Sequence, residues 1–241
     1  MSAGPSELPR WIDIGLIPIL NICMALLVSG AIILAIGEDP LQSVAIMVNG
    51  AFGYEEGIGY TLYYTTNFIF TGLAVAIAFH AGLFNIGGEG QAYLGGLGVG
   101  LVMLTFDASL PLAVLIPLGI LAAAAFGAAW AAVPAYLQAY RGSHIVITTI
   151  MFNFIAAALM VYLLVHVLIK PGQMSPESRE FLPAAQLPFM HEVLGALGIP
   201  FASSPLNISL IWALICCVGV WVYIWHTRWG YELRAVGFSE P

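Results

Sequence analysis

The sequence predicts an all-α fold, a polytopic transmembrane helical bundle of about six spans. Three observations carry that expectation. Of 241 residues, 61% are hydrophobic and only 8% are charged. The segments Ile14–Ile36, Leu110–Leu137 and Ile145–Ile169 contain no Lys, Arg, Asp or Glu. Each also exceeds the roughly 20 apolar residues that a helix needs to cross a bilayer. Inside lipid every backbone amide must be satisfied within its own segment, so such runs fold as helices. Function is then carried by the few polar residues that burial in a membrane would otherwise exclude.

Taken in order, spans are expected near 14–36, 61–79, 91–106, 110–137, 145–169 and 207–226, forming one transmembrane domain over 1–241. The first run has 23 residues, longer than the roughly 7–15 of a cleavable signal's apolar core, and reads as a retained span. Leu41–Phe52 is apolar but too short to cross, which suits an interfacial or re-entrant helix. Residues 170–206 form the one substantial polar loop. Pro171, Pro176, Pro183, Pro188 and Pro200 forbid a long helix there, leaving room for a short one within His191–Leu197.

Orientation follows from the basic residues. With the N-terminus cytoplasmic, Arg10, Arg141, Arg228 and Arg234 fall inside, and Lys170 and Arg179 fall outside. The net charge of −7 and the lack of a basic patch exclude nucleic-acid binding. Cys23, Cys216 and Cys217 lie within apolar runs without metal-ligand or disulfide spacing and read as small buried hydrophobes. Asp13 and Asp107 sit at span ends, where acids are solvated. Ser143 and His144 are adjacent, with no third catalytic partner in evidence. No GxSxG or HExxH pattern occurs, so the sequence offers no catalytic or metal site.

The polar residues cluster. FHAGLFNIGGEGQAYLGGLGVG (79–100) joins two spans with a dense set of glycines. Gly87, Gly88 and Gly90 leave the backbone free to turn sharply. Gly96 and Gly100 form a GxxxG pair suited to close helix approach. Glu89 is either a capping acid in a tight interhelical turn or part of a broken helix lining a solute path. His80 reads as a packed or interfacial histidine. Asn67, behind Tyr63, Tyr64, Thr65 and Thr66, and Asn153, behind Thr148 and Thr149, are either interhelical glue or path-lining amides. Thr148 and Thr149 are expected to bond back to their own helix. Gly119, Ala123, Gly127, Ala131 and Ala135 make a stripe for close packing.

The last residues, GYELRAVGFSEP (230–241), read on composition as an amphipathic juxtamembrane helix. Gly230, Arg234, Ala235 and Gly237 also form the pattern G-x-x-x-R-A-x-G. That segment resembles the cytoplasmic coupling loop of ABC-importer permeases, in the simple-sugar and nucleoside branch related to ribose and branched-chain amino acid permeases. GLFNIGGEGQ, with Phe79–Gly82 leading into it, is similar to that branch's signature between its second and third spans. RGSHIVITTIMFNFIA (141–156) resembles the segment leading into the fifth. Ser239 stands where many members have Asn, and the chain ends at Pro241 inside a segment that relatives continue, so it looks truncated at its C-terminus.

The resemblance implies a permease subunit of an ATP-driven importer for a simple sugar or nucleoside. It implies no cofactor and no catalysis by this chain, with ATP hydrolysed on separate ABC ATPase subunits. A second permease subunit, identical or homologous, and an extracytoplasmic binding protein complete the assembly in a bacterial inner membrane. Gly230, Glu232, Arg234, Ala235 and Gly237 are then the ATPase-coupling residues, Arg234 as a charged anchor and Gly237 as a close-approach position. Asn67, Asn85, Glu89, Gln91 and Asn153 are the candidates for the substrate path, since neutral hydrogen-bonding groups suit sugars and nucleosides. The alternative is a secondary transporter or channel for a neutral polar solute, for which Glu89 alone could serve as an intramembrane acid.

Overall fold

The computed structural model describes residue 9 and residues 11–238, with the side chain of Asp13 outside that description. Expectations resting on Arg10, Asp13, Ser239 and Pro241 therefore lie outside the described residues. Among the described residues the regular elements are all helices. A π-helical turn at Ile12–Leu16 leads into α1 (Ile17–Ala35). Next come α2 (Pro40–Phe52), α3 (Glu55–His80), α4 (Gly88–Phe106), α5 (Leu112–Arg141) and α6 (Ile145–His166). The long loop carries a 3-10 turn at Pro183–Ala185 and α7 (Met190–Ala196), and α8 (Ser209–His226) and α9 (Arg228–Phe238) close the chain.

Among the described residues, five helical segments are long and apolar enough to cross a membrane: Ile14–Ala35, Glu55–His80, Leu112–Arg141, Ile145–His166 and Ser209–His226. The sixth expected span, 91–106, lies within α4, which is long enough but starts with Gly88, Glu89, Gly90 and Gln91 and so falls outside that set. Its packing supplies the reason. Gly90, Leu94, Gly95, Leu97, Gly98 and Met103 of α4 are buried in protein, and a helix sheathed by other helices need not be as apolar as one facing lipid.

Packing groups the chain, read from sequence as one domain, into two compact units that divide within α3 at Thr61/Leu62. In the first, Asp39 caps α2 by accepting the Leu41 N–H at 2.8 Å, with Pro40 at the first helical position. The 13 residues of α2 make the short apolar helix expected there. Its Gly50 carbonyl lies so close to Gly57 that a Cβ at Gly57 would overlap it. Cys23 on α1 is exposed, so its thiol is not the buried hydrophobe that its apolar setting predicts; no residue of α1 is buried.

The second unit is organised around α4, packed mainly on α5 and α6. A Cβ at Gly98 would lie 2.7 Å from the Ala122 carbonyl oxygen, and one at Gly95 would lie 3.4 Å from that of Ala123. These two glycines let the helices close on each other. Gly96 and Gly100, the expected pair, face open space instead. The face of α4 turned to α5 carries Gly95 and Gly98, three residues apart, rather than the GxxxG pair. The facing stripe on α5 is as expected at Gly119, Ala123 and Gly127: Gly119 lies against Met103, and Gly127 against the Gln91 carbonyl. Gly142 ends α5 in the left-handed region (φ 65°), and the N–H groups of Gly142 and Ser143 both reach the Leu137 carbonyl, closing the helix end.

At the far end of α4, Asp107 is buried rather than solvated as a span-end acid was expected to be. Arg179 of the long loop holds it with two parallel bonds, Nη1 to Oδ2 at 2.7 Å and Nη2 to Oδ1 at 2.9 Å. Arg179 Nη2 also donates to the Leu104 carbonyl at 2.7 Å, and the Leu182 N–H reaches Asp107 Oδ2 at 3.2 Å. The Arg179 hydrogen bond holds the Asp107 carboxyl below its usual range, against the opposing effect of burial. Further along, Glu192 turns back to accept the Phe189 N–H and so starts α7, the short helix expected in this loop.

Candidate functional site

The polar features of the second unit meet where α4 begins. After His80 the chain turns through Ala81 and Gly82 (φ 74°), runs non-helically over 83–86, and starts α4 after Gly87. The non-helical run spans about 13 Å. Its far end reaches Asn153, which lies eight residues past the start of α6, about 12 Å along that helix. The first turn of α4 therefore packs part-way along α6, with Gly87 and Gly90 buried and Glu89 exposed. The chain is thus non-helical over 83–86 between α3 and α4.

A helix start leaves amide donors without partners in the helix itself. Gly87, at the cap position, has no side chain to help. Asn153 takes over that role from α6: its Oδ1 accepts the Gly90 N–H at 2.9 Å, and its Nδ2 donates to the Ile86 carbonyl at 2.9 Å. Thr149 Oγ1 accepts the Ile86 N–H at 3.3 Å while donating back to the Ile145 carbonyl at 2.8 Å. Asn85 Oδ1 accepts the Gly87 N–H at 2.8 Å. Space is tight. A Cβ at Gly87 would come within 3.0 Å of Asn85 Oδ1, and one at Gly90 would lie 3.0 Å from both Asn153 Oδ1 and Trp130 Nε1.

Beside this turn opens a recess of about 460 Å³ lined by residues of α3 (Asn67, Phe68, Thr71, Val75) and of the turn (Phe84, Asn85, Ile86, Gly88, Glu89). Its size falls within the range of small-molecule sites. Three of the five expected path residues, Asn67, Asn85 and Glu89, thus line one recess. Among the described residues nothing hydrogen-bonds the Asn67 amide or the Glu89 carboxylate, and both are exposed. Gln91 is not part of the lining; its amide folds over the Gly87 turn. Asn153 is spent on the backbone of the turn and builds the recess rather than facing it.

The second cluster lies around α9. Thr227 caps this helix by accepting the Gly230 N–H at 3.1 Å and donates to the Tyr223 carbonyl at 2.6 Å, which ties α9 to the end of α8. Gly230 is buried against that end, where a Cβ would overlap the Tyr223 carbonyl. Arg234 lays its guanidinium over the Trp225 ring, 4.5 Å from the centroid. Gly237 packs on the backbone of His80, Ala81 and Gly82, so closely that a Cβ there would overlap the His80 carbonyl. Gly230, Arg234 and Gly237 are thus engaged within the chain, while Glu232 and Ala235 are exposed together with Trp229, Tyr231, Val236 and Phe238. Glu232 pairs with Arg228 at 2.9 Å on that outer face.

With this geometry in hand, comparison with known families is decisive. The family described as the permease component of the branched-chain amino acid transport system matches residues 57–241. The chain belongs to that family. It is a multi-pass membrane protein, and among curated proteins this permease is similar to three ABC transporter permeases. The guanosine ABC transporter permease protein NupP of Bacillus subtilis is 34% identical over 93% of this chain and 62% of its own length. The glucose ABC transporter permease protein TsgB13 of Haloferax volcanii is 34% identical over 96% of this chain and 60% of its own. The nucleoside ABC transporter permease protein NupB of Lactococcus lactis is 32% identical over 93% and 61%. The chain thus spans about 60% of the length of these relatives. No solved structure matches the chain.

Three contributors to the permease's polar architecture escaped the sequence reading. Thr149 looks locally like a back-bonding threonine, and only the fold shows that it also holds Ile86. Trp225 reads as one interfacial tryptophan among six, yet it carries Arg234. Gly82 had a legible signal, since it stands in the Phe79–Gly90 cluster, but its partner Gly237 lies too far along the chain for spacing to suggest it.

Proposed function

We propose that this chain is the membrane-spanning permease part of an ATP-driven ABC importer that moves a neutral sugar or nucleoside. The observation that carries the reading is the start of α4 part-way along α6, beside a recess edged by Asn67, Asn85 and Glu89. An interrupted helix facing a small-molecule cavity is the arrangement by which membrane transporters present backbone and amide groups to solute at depth. The curated relatives are permeases for guanosine, nucleosides and glucose, solutes recognised through neutral hydrogen-bonding groups. Family membership favours this reading over a secondary transporter, which rests on Glu89 alone.

In this reading the chain hydrolyses nothing itself. ABC ATPase subunits sit against the exposed face of α9 through Glu232 and Ala235, while Gly230, Arg234 and Gly237 fix the helix beneath them. A second permease subunit and an extracytoplasmic binding protein complete the machine. Arg141, Arg228 and Arg234 then lie on the cytoplasmic side of the inner membrane, with the N-terminus also cytoplasmic.

Reconstitution tests the whole. The full-length protein in proteoliposomes, supplied with its ATPase and binding protein, takes up solute only when ATP is present on the ATPase side. Uptake of the same solute by the full-length protein alone, driven by an ion gradient, defeats the reading.

A further inference from the structure

We propose that Gly82 and Trp225 are positioning residues through which α9 moves the wall of the recess; this rests on the importer reading above. Helix α9 holds the chain just past α3 at one point, and reaches His80 at the end of α3 through Trp225 of α8 at another. At the first, Gly237 and Gly82 meet backbone to backbone: a Cβ on Gly82 would lie 3.2 Å from both Cα and O of Gly237, and Gly82 itself has a φ of 74°. Neither position has room for a side chain. At the second, one turn earlier on α9, the Arg234 guanidinium lies 4.5 Å from the centre of the Trp225 ring. The edge of that ring meets His80 at 90° and 5.8 Å between centroids. His80 is itself fixed, its Nδ1 donating to the Ala76 carbonyl at 2.7 Å.

This grip bears on the recess through the chain itself. From Gly82 the backbone runs directly into Phe84, Asn85 and Ile86, which form one wall of the cavity. The far end of that run is pinned to α6 by Asn153 and Thr149. A segment held at Ile86–Gly90 and seated on α9 at Gly82 has one fixed end and one driven end. A shift of α9 therefore enters at Gly82 and tilts Phe84 and Asn85 about the Asn153 clasp. The joint from α8 to α9 through Thr227 keeps that motion from dissipating as fraying of α9.

The test reads the wall directly. In full-length protein whose native cysteines are replaced, Phe84→Cys is labelled with a maleimide within the ATPase-bound complex in nanodiscs, with and without ATP-vanadate trapping. Trapping is expected to change the labelling rate of the parent at least about fivefold, the lower end of ordinary allosteric coupling. Trp225→Ala and Gly82→Ala are expected to cut that change below about twofold, with ATP hydrolysis and ATPase copurification preserved. Trp225→Tyr, which keeps an aromatic face for Arg234, is expected to restore it. Gly82→Ala strains a left-handed residue, so if it does not assemble, the Trp225 pair decides. Full labelling change in Trp225→Ala, or no change in a parent that is demonstrably trapped, overturns the inference and leaves the importer reading standing. Failure of the parent to retain any ATPase instead overturns the importer reading itself.

Discussion

Asn153 accepts the N–H of Gly90, 63 positions away, at 2.9 Å, and so serves as the cap that α4 lacks in its own sequence. The same amide donates to Ile86, so one side chain satisfies both a donor and an acceptor of the turn. Asn153→Ala strands the Gly90 N–H of a buried residue and should cost about 1–3 kcal/mol, the cost of one buried polar group left unpaired. Asn153→Asp keeps the acceptor for Gly90 but cannot donate to Ile86, and should fall between. Thermal unfolding in detergent, read by tryptophan fluorescence, orders the three proteins; equal stability of Asn153→Ala and the parent contradicts the clasp.

The α4–α5 contact makes a prediction that turns on register. Gly98→Ala drives a methyl to within 2.7 Å of the Ala122 carbonyl and against the Phe126 ring, and should destabilise by about 1–3 kcal/mol. Gly96→Ala and Gly100→Ala meet open space and should stabilise by up to about 1 kcal/mol through helix propensity. Opposite signs for neighbouring glycines are the signature to look for in melting temperatures. Loss of stability in all three supports a GxxxG contact at 96 and 100 instead.

How much of this was legible in the sequence depends on whether the determining contact is local. The apolar runs, the short α2 and α7 helices and the stripe at Gly119, Ala123 and Gly127 could be read because each arises from the spacing of neighbouring residues. The pairing of Asn153 with Gly90, of Asp107 with Arg179 and of Gly237 with Gly82 could not. Each joins segments whose register only the packed bundle defines. The choice between Gly95/Gly98 and Gly96/Gly100 failed for the same reason: α4 carries so many glycines that several faces look equally suited to close contact. Asn67, Asn85 and Glu89 were singled out as polar groups where lipid disfavours them, and that reasoning found three residues of one recess without revealing that they adjoin.

The Asp107–Arg179 pair fixes a pH dependence. Because the folded-state pKa of Asp107 is lowered, the pair's contribution is fully present above the unfolded carboxylate value of about 4. It is lost only as pH falls through the lowered native value. Arg179 is shifted upward by the same hydrogen bond and stays charged throughout. Pepsin digestion of loop 170–206 between pH 5 and pH 2, values chosen to bracket the carboxylate range of about 4, should therefore show protection persisting below the ordinary carboxylate titration. Asp107→Asn should be cleaved faster at the top of that range, where the parent is protected. Identical cleavage of the two proteins at every pH removes the clasp from the account.

Glu89 separates the two modes of transport. In an ATP-driven importer, Glu89→Gln alters how solute is held and should shift half-saturation of uptake by about tenfold, the effect of roughly 1.4 kcal/mol in a charged hydrogen bond. Uptake should remain dependent on ATP. In a secondary transporter that used Glu89 as its coupling acid, the same change abolishes ion-driven uptake altogether.

The claim on which the rest depends is that the outer face of α9 meets a motor, and photocrosslinking from that face tests it most directly. A benzophenone amino acid placed at the exposed Ala235 position of the full-length protein, irradiated in native membranes, should capture an ATP-hydrolysing subunit, with a yield that changes on nucleotide trapping. Adducts with lipid alone, at normal expression and insertion, contradict the account.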